Sequence, residues 1–398
     1  MIGTIKDCLN KSFGTIPIIF FLFLFSCTRI EQEVYFDRGN TSLNKGQYDE
    51  AISEYTKAIE INPRYAKAYY NRGIAYHNKG QYDQAISDYN KALEINPRDD
   101  KAHYGRGNAY LHKGQYELAI SDYNKAIEIN PTYDKAYTNR GTTYSLKKQY
   151  NEAISDYNKA LEINPKLAEA YVNRGRAYIF EGKHAQAISD FNKALEINPR
   201  LAEAYRSRGI VYEWKDQHDQ AISDYNKALE INPKDAMAYS NRGWAYLAKA
   251  QFDQAISDFN RALEINPRLA EAYRSRGIAY DEKGQYDKAI LDYSKALEID
   301  PRDARVCNNL AWLLATAKTL HLRDGKKALE LSLMACELSE WKTPNYLDTL
   351  AAAYARVGDF DNAIKWQEKV LESPELAKDK EAQQRLILYR NHKAWPPD

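Results

Sequence analysis

The 398-residue chain is 44% hydrophobic and 28% charged, and its 56 basic residues are matched by 55 acidic ones. The charges alternate along the chain and build no basic stripe, which argues against nucleic acid as a partner. Such a length would ordinarily mean two or three globular domains, but a fixed internal period makes it a count of repeats instead.

The N-terminal segment reads as an address. Lys6 and Lys11 lead into a short apolar run over 13–25, which ends in Leu24-Phe25-Ser26-Cys27, the order of a secretory leader. Interrupted by Gly14 and Pro17, the run is too short to span a bilayer, which needs about 20 apolar residues. Its ending resembles the bacterial lipobox, with Leu three places before the cysteine and a small residue one before, although Phe25 and Asp7 depart from that pattern. The resemblance implies a signal peptide over 1–27, lipidation of Cys27 (a palmitate-type anchor) and a place in the bacterial cell envelope. Thr28 after the cysteine leads us to expect the outer membrane, facing the periplasm. The competing reading is an ordinary cleaved signal or an uncleaved anchor, with Cys27 incidental. A short tether over 28–32, if extended, reaches roughly 15 to 20 Å and would keep the first repeat close to the membrane.

From 32 to 303 one pattern recurs as eight units of 34 residues, with Pro63 and Gly39 each returning at that interval. In the second unit Tyr69, Arg72, Gly73 and Tyr76 share one face of a first helix, helix A. Ala85, Tyr89, Ala92 and Leu93 share one face of a second, helix B. Gly73 and Ala85 are small where the two helices must approach. Gly80 suits a left-handed turn, Asp83 favours the start of helix B, and Asn96 before Pro97 ends it. Lys148, Asp216 and Ala250 replace the turn glycine in three units, where strain is expected. The spacing Tyr69-x-x-Arg72-Gly73-x-x-Tyr76, then Ala85-x-x-x-Tyr89, then Pro97, resembles the tetratricopeptide repeat. The resemblance implies an all-α, right-handed superhelical solenoid of about ten helix-turn-helix units with a C-terminal capping helix. Most of the 32 tyrosines then read as packing residues.

One departure stands out: helix A carries arginine where the family usually has leucine, as in Arg38, Arg72, Arg106, Arg140 and Arg174. Guanidiniums on a packing face need partners, and helix B offers Glu54, Asp88, Asp122, Asp156 and Asp190 in step. We expect an ion-pair ladder that includes Arg72 with Asp88, Arg106 with Asp122 and Arg140 with Asp156. The alternative pairs each acid with the lysine three residues later, such as Asp88 with Lys91.

Residues 304–377 read as two divergent units, the ninth with a turn lengthened around 319–323. Residues 378–398 read as a capping helix and tail, with Leu386 and Tyr389 covering the exposed end of the stack; such arrays need caps. Leu376 lies just before it and helps cover the same end.

No stretch offers a phosphate-cradling loop, a nucleophile elbow or metal-ligand spacing, so we expect no enzyme, no cofactor and no metal. His103, His184 and His218 replace packing or turn tyrosines and read as structural, whereas His77 and His112 fall on the groove side. Cys307 and Cys336 lie on packing faces, as free thiols or as a disulfide.

Function then falls to a surface. The family resemblance implies a protein or peptide ligand held in a concave groove lined by helix A. The positions facing it are Phe36, Asn40, Tyr70, Ile74, Asn78, Lys101, Tyr104 and Asn108 in the early units. In the later ones they are Arg176, Phe180, Arg206, Trp214, Trp244, Arg274 and Trp312. Aromatic and arginine residues are the composition of binding hot spots. The family's carboxylate clamp is incomplete: Asn40, Asn71 and Lys101 match, but Phe36 and Gly105 stand where Lys and Arg belong. The decapeptide Leu-Ala-Glu-Ala-Tyr-Arg-Ser-Arg-Gly-Ile occurs twice, at Leu201 to Ile210 and Leu269 to Ile278, through duplication or because one ligand is read twice. The expected role is a lipid-anchored, non-enzymatic scaffold recruiting a partner for envelope assembly or secretion. The alternatives are a peptide-sensing receptor and a cytoplasmic co-chaperone-like adaptor.

Overall fold

The computed structural model describes residues 16–396, with side chains from residue 29. These residues fall into two compact units divided between 198 and 199, each built of α-helices. The first unit holds α1 (Ile16–Asn44), α2 (Tyr48–Ile61), α3 (Ala66–Asn78), α4 (Tyr82–Ile95), α5 (Asp100–His112), α6 (Tyr116–Ile129), α7 (Asp134–Leu146), α8 (Tyr150–Ile163), α9 (Ala168–Phe180) and α10 (His184–Ile197). The second holds α11 (Ala202–Glu213), α12 (His218–Ile231), α13 (Ala236–Ala248), α14 (Phe252–Ile265), α15 (Ala270–Glu282), α16 (Tyr286–Ile299), α17 (Ala304–Thr316), α18 (Gly325–Leu338), α19 (Pro344–Arg356), α20 (Phe360–Leu371) and α21 (Lys380–Arg390). Up to α20, odd-numbered helices are A and even-numbered ones B. Within a unit each A packs along its own B, and most B helices pack on the next A.

Each hairpin closes where the residues require it. After α3, Gly80 takes φ of +74°, which lets its N–H reach the His77 carbonyl and the Gln81 N–H reach that of Tyr76. Lys148, Asp216 and Ala250 hold the same left-handed geometry at φ 60°, 55° and 54°. An L-residue accepts that conformation at a cost of about 1 to 2 kcal/mol. Inside the hairpin the Tyr89 ring fills the space above Gly73, where an added Cβ would come within 2.8 Å of it. Tyr89 is fully buried between Ala85 and Ala92, and every regular repeat copies this contact with Tyr or Phe.

The arginines form a regular chain of bonds. Arg72 donates from Nε and Nη2 to the two carboxylate oxygens of Asp88, at 2.7 and 2.8 Å. Arg106 with Asp122 and Arg140 with Asp156 are equally bidentate, as are Arg174, Arg208, Arg242 and Arg276 with their own aspartates. A third bond was not foreseen from the sequence. Nη1 crosses to helix B of the preceding repeat, from Arg72 to the Thr56 hydroxyl at 2.9 Å and from Arg106 to Asn90 at 2.6 Å. Arg140, Arg174, Arg242 and Arg276 reach Asn124, Asn158, Asn226 and Asn260 in the same way. Tyrosines on the same helix lie against the guanidinium, Tyr171 and Tyr178 at 5.4 and 5.9 Å from Arg174.

The first repeat departs from this pattern: Glu54 pairs with Lys57 and Arg38 lies over the Tyr35 ring. The lysine pairing weighed as an alternative therefore holds there, while Lys91 pairs with Glu94 instead of Asp88. His103 modifies the third repeat. Burial raises the Asp88 and Asp156 carboxyls above their ordinary range despite their arginines. At Asp122 burial pushes the same way, but Arg106 and then His103, at 3.2 Å, outweigh it and hold the carboxyl down.

Two boundaries differ from expectation or lie outside the described residues, and the lengthened turn of the ninth unit lies where it was expected. The leader up to residue 15 and the Cys27 side chain lie outside the described residues. The backbone of α1 is helical from Ile16 onward, so 28–32 continue a helix and do not form an extended tether. At about 1.5 Å per residue this stretch spans roughly 8 Å. The long turn of the ninth unit contains a single 3-10 turn, Leu320–Leu322. Cys307 and Cys336 are buried free thiols in separate clusters, and burial pushes them up to about 11 and about 12. The cap is tied by charge as well as packing. Arg385 of α21 bonds both oxygens of Asp348 on α19, and Tyr389 is fully buried.

Removing one member of a ladder pair should expose the cost of the other. Asp156→Ala should destabilise α7 and α8 by about 2 to 4 kcal/mol, whereas the double change Arg140→Leu with Asp156→Leu should recover most of that. Amide exchange across α7 and α8 reads this locally; a double variant as damaged as the sum of the two singles would contradict it.

Candidate protein interaction surface

The A helices of neighbouring repeats touch within each unit, α1 through α9 in series, then α11, α13 and α15, and α17 on α19. They therefore build one wall per unit, and the positions expected to face a partner lie on it.

In the first unit much of that wall is committed to packing. Phe36, Tyr70 and Tyr104 are half-buried, with ring centroids 5.8, 5.9 and 6.0 Å from Tyr55, Tyr89 and Tyr123. Asn40 accepts from the Tyr55 hydroxyl and from Asn71 Nδ2, both at 2.8 Å. Asn108 accepts from Tyr123 and Asn139 at 2.7 and 2.8 Å. The two asparagines that matched the clamp thus satisfy each other. Ile74 and Arg176 are half-buried, while Lys101 and Asn78 are open to solvent. Phe180 is 66% exposed and stacks on Tyr150 at 4.7 Å. His77 and His112 meet edge to face at 5.1 Å, and Tyr82 stacks on His112. Burial, then the neighbouring His112, holds His77 below the usual histidine range.

In the second unit Trp214 is 57% exposed, and Trp244 and Trp312 are half-buried. Arg274, expected on the open face, is instead only 6% exposed. Its guanidinium lies 5.5 Å from the Trp244 ring, bonds Glu271 at 3.2 Å and comes within 4.0 Å of Asp303. Arg206 makes the matching contact with Asp235 at 3.1 Å. Asp235 and Asp303 cap α13 and α17. The twice-occurring decapeptide therefore has a structural role, in which its first arginine clasps the start of the next A helix. Arg385 covers Trp312 at 5.4 Å.

Two acids on this wall are not evident from the sequence, Glu213 and Asp281. Glu213 is bonded by His218 Nδ1 at 3.2 Å, and burial raises it despite that bond. Asp281 lines a cavity of about 440 Å³ with Trp312, Asn309 and Arg385. Burial, with Glu282 adding to it, pushes its carboxyl up to about 6. The available signal was contrast: other repeats place Leu, His, Ser or Ile at that position.

Comparison with known proteins agrees with this geometry. The tetratricopeptide repeat model matches residues 66–99, 100–133, 134–167, 168–201 and 270–303, and related repeat models match 39–80, 200–268 and 344–375. The chain belongs to the tetratricopeptide repeat family. A solved tetratricopeptide repeat protein from Parabacteroides merdae is 22% identical, covers 62% of this chain and 97% of its own, and superposes with a TM-score of 0.50. PilF of Pseudomonas aeruginosa is 22% identical over 52% of this chain and 94% of its own, at 0.48. YrrB, described as a TPR protein with an unusual peptide-binding site, is 29% identical over 46% of this chain and 95% of its own, at 0.39. No curated protein matches the chain. Tetratricopeptide repeats form a scaffold suited to protein–protein interaction, typically a non-catalytic one.

Asp281 gives this surface a measurable cost. Its folded-state pKa, about 6, exceeds the value of about 3.9 in an unfolded chain. The native state therefore holds the proton more tightly, and stability falls as pH rises from about 4 to about 6. Asp281→Asn should be more stable than the parent at neutral pH by about 1 to 2 kcal/mol, after allowance for solvent at the cavity mouth. The gap should close below pH 4, in urea unfolding at the two pH values.

Proposed function

We propose that this tetratricopeptide repeat protein is a non-enzymatic scaffold, anchored by lipid at Cys27 to the bacterial envelope, that recruits a protein or peptide through its A-helix walls. The observation that carries the reading is a contrast among aromatic side chains. The repeating Tyr and Phe of the B helices are sealed in the hairpins, whereas Phe180 at the end of α9 and Trp214 just past the end of α11 stand open. Large aromatics left in water on a rigid framework are the anchors from which interfaces are built. The anchor rests on the leader, whose basic start and short apolar run are those of a secretory signal and whose Leu-Phe-Ser-Cys ending resembles a lipobox, with Phe25 and Asp7 departing from it. Among the described residues no helix is long and apolar enough to cross a membrane.

Two measurements in intact cells test the two halves. Palmitate labelling should be present in the parent and absent in Cys27→Ala; equal labelling would remove the anchor. A photo-crosslinking amino acid at Trp214 or Trp244 should capture one dominant protein that the same probe on the B-helix side, at Lys227, does not. Identical products from both faces would remove the wall as the recruiting surface.

A further inference from the structure

Two cavities of the second unit are lined by the same repeat positions. One, of about 260 Å³, is bounded by Ile210, Glu213, Trp214, Tyr225, Asn241 and Trp244. The other, of about 440 Å³, includes Ile278, Asp281, Glu282, Tyr293, Asn309 and Trp312. Each residue of the second set follows its counterpart by 68 positions, two full repeats. An isoleucine, an acid, a tyrosine, an asparagine and a tryptophan are thus assembled twice.

The tyrosine and the asparagine recur in other repeats, but the acid and the tryptophan do not. The acid appears only at Glu213 and Asp281 among the eight regular repeats, and the tryptophan follows it 31 residues later in both cases. In the ninth unit the arginine, glycine and tyrosine of the repeat have become Leu310, Ala311 and Leu314, yet Asn309 and Trp312 remain. Plain duplication followed by drift gives no reason for the cavity-lining tryptophan to stay while its neighbours change. The decapeptide that occurs twice ends on the two isoleucines.

The chemistry of the sets is alike. In each, the tyrosine hydroxyl is pushed up first by burial and then by the adjacent acid, Glu213 for Tyr225 and Asp281 for Tyr293. Each acid lines the same cavity as its tyrosine. Each indole also lies against an internal guanidinium, Arg274 or Arg385. The indoles are therefore braced as walls, and the carboxylates supply the charge. Arg385 is committed to Asp348 and lies 3.7 Å from Glu381, which leaves Asp281 and Glu282 to make the larger cavity acidic. An apolar floor, an aromatic wall, an amide and a carboxylate together suit a long aliphatic stem ending in a cation.

We propose that the two cavities are paired subsites for lysine or arginine side chains of one extended peptide segment. Two helix-pair steps of about 10 Å separate the sites by roughly 20 Å, so the basic residues should lie about six apart in an extended strand. This rests on the recruiting role of the A-helix wall and names the chemistry that the wall selects.

Fluorescence anisotropy with the purified full chain tests it. The probe is a labelled, otherwise uncharged peptide with two arginines about six residues apart, compared with versions in which one or both arginines become norleucine or glutamate. The doubly basic peptide should bind best, with each norleucine costing roughly tenfold. Glu213→Gln should abolish the dependence on one arginine and Asp281→Asn the dependence on the other, both with near-parent circular dichroism. Norleucine or glutamate peptides that bind as well as the basic one, indifference to both variants, or no binding of any peptide would each overturn the pairing. Those results would leave the crosslinking test standing, because capture of a partner at Trp214 does not depend on basic side chains.

Discussion

A guanidinium bonded to three helices at once governs this molecule. Arg140 sits on α7, takes both oxygens of Asp156 on α8 and reaches back to Asn124 on α6. The planar fork of arginine makes this possible, since Nε and Nη2 are spent on the carboxylate while Nη1 remains for a different direction. A leucine at the same place could fill the volume but would fix no register. The ladder therefore sets both the closure of a hairpin and the seat of one hairpin on the next. It does so with groups whose desolvation is costly, and the raised Asp88 and Asp156 carboxyls show that cost.

With register held this way, the remaining side chains of helix A are free to differ. In a stack whose units contact only their neighbours, stability is close to a sum of local terms. A left-handed Lys148 or Ala250, or a half-buried Asp281, weakens its own hairpin without unravelling distant ones. The second unit concentrates such liberties on its A helices: Trp214 in water, Arg274 buried against Trp244, acids at Glu213 and Asp281. Groups kept in unfavourable surroundings on one face of a regular scaffold are what the proposed recruiting face is expected to carry.

The period of 34 made nearly all of the fold legible. It placed a first and a second helix in each unit, found as α3 (Ala66–Asn78) and α4 (Tyr82–Ile95) in the second, because turn residues, small residues and prolines all recur in phase. Arg72 with Asp88 was legible for the same reason, as both belong to one hairpin and lie 16 residues apart. The bond from Arg106 to Asn90 was not, since it depends on how far one hairpin is staggered against the next, a quantity absent from any single repeat. Arg274 was misplaced by a related blindness. Helical periodicity puts it on the A face, but Trp244 from the preceding repeat and Asp303 at the start of the next A helix lie against it, and it is buried. The stretch 28–32 reads as a tether because it follows the expected cleavage point, whereas the backbone continues the helix that the first repeat has already nucleated.

The cavities show the same limit most sharply. Glu213 and Trp244 belong to different repeats, and neither is unusual alone: an acid at a helix end and an aromatic on a packing face are commonplace. Only contact between α11 and α13 brings them to one cavity, and only the recurrence at Asp281 and Trp312 distinguishes the pairing from chance. A repeat array thus carries information of two kinds. What every unit shares builds the frame, and what two units share with each other, against the rest, points to something outside the frame that is met twice.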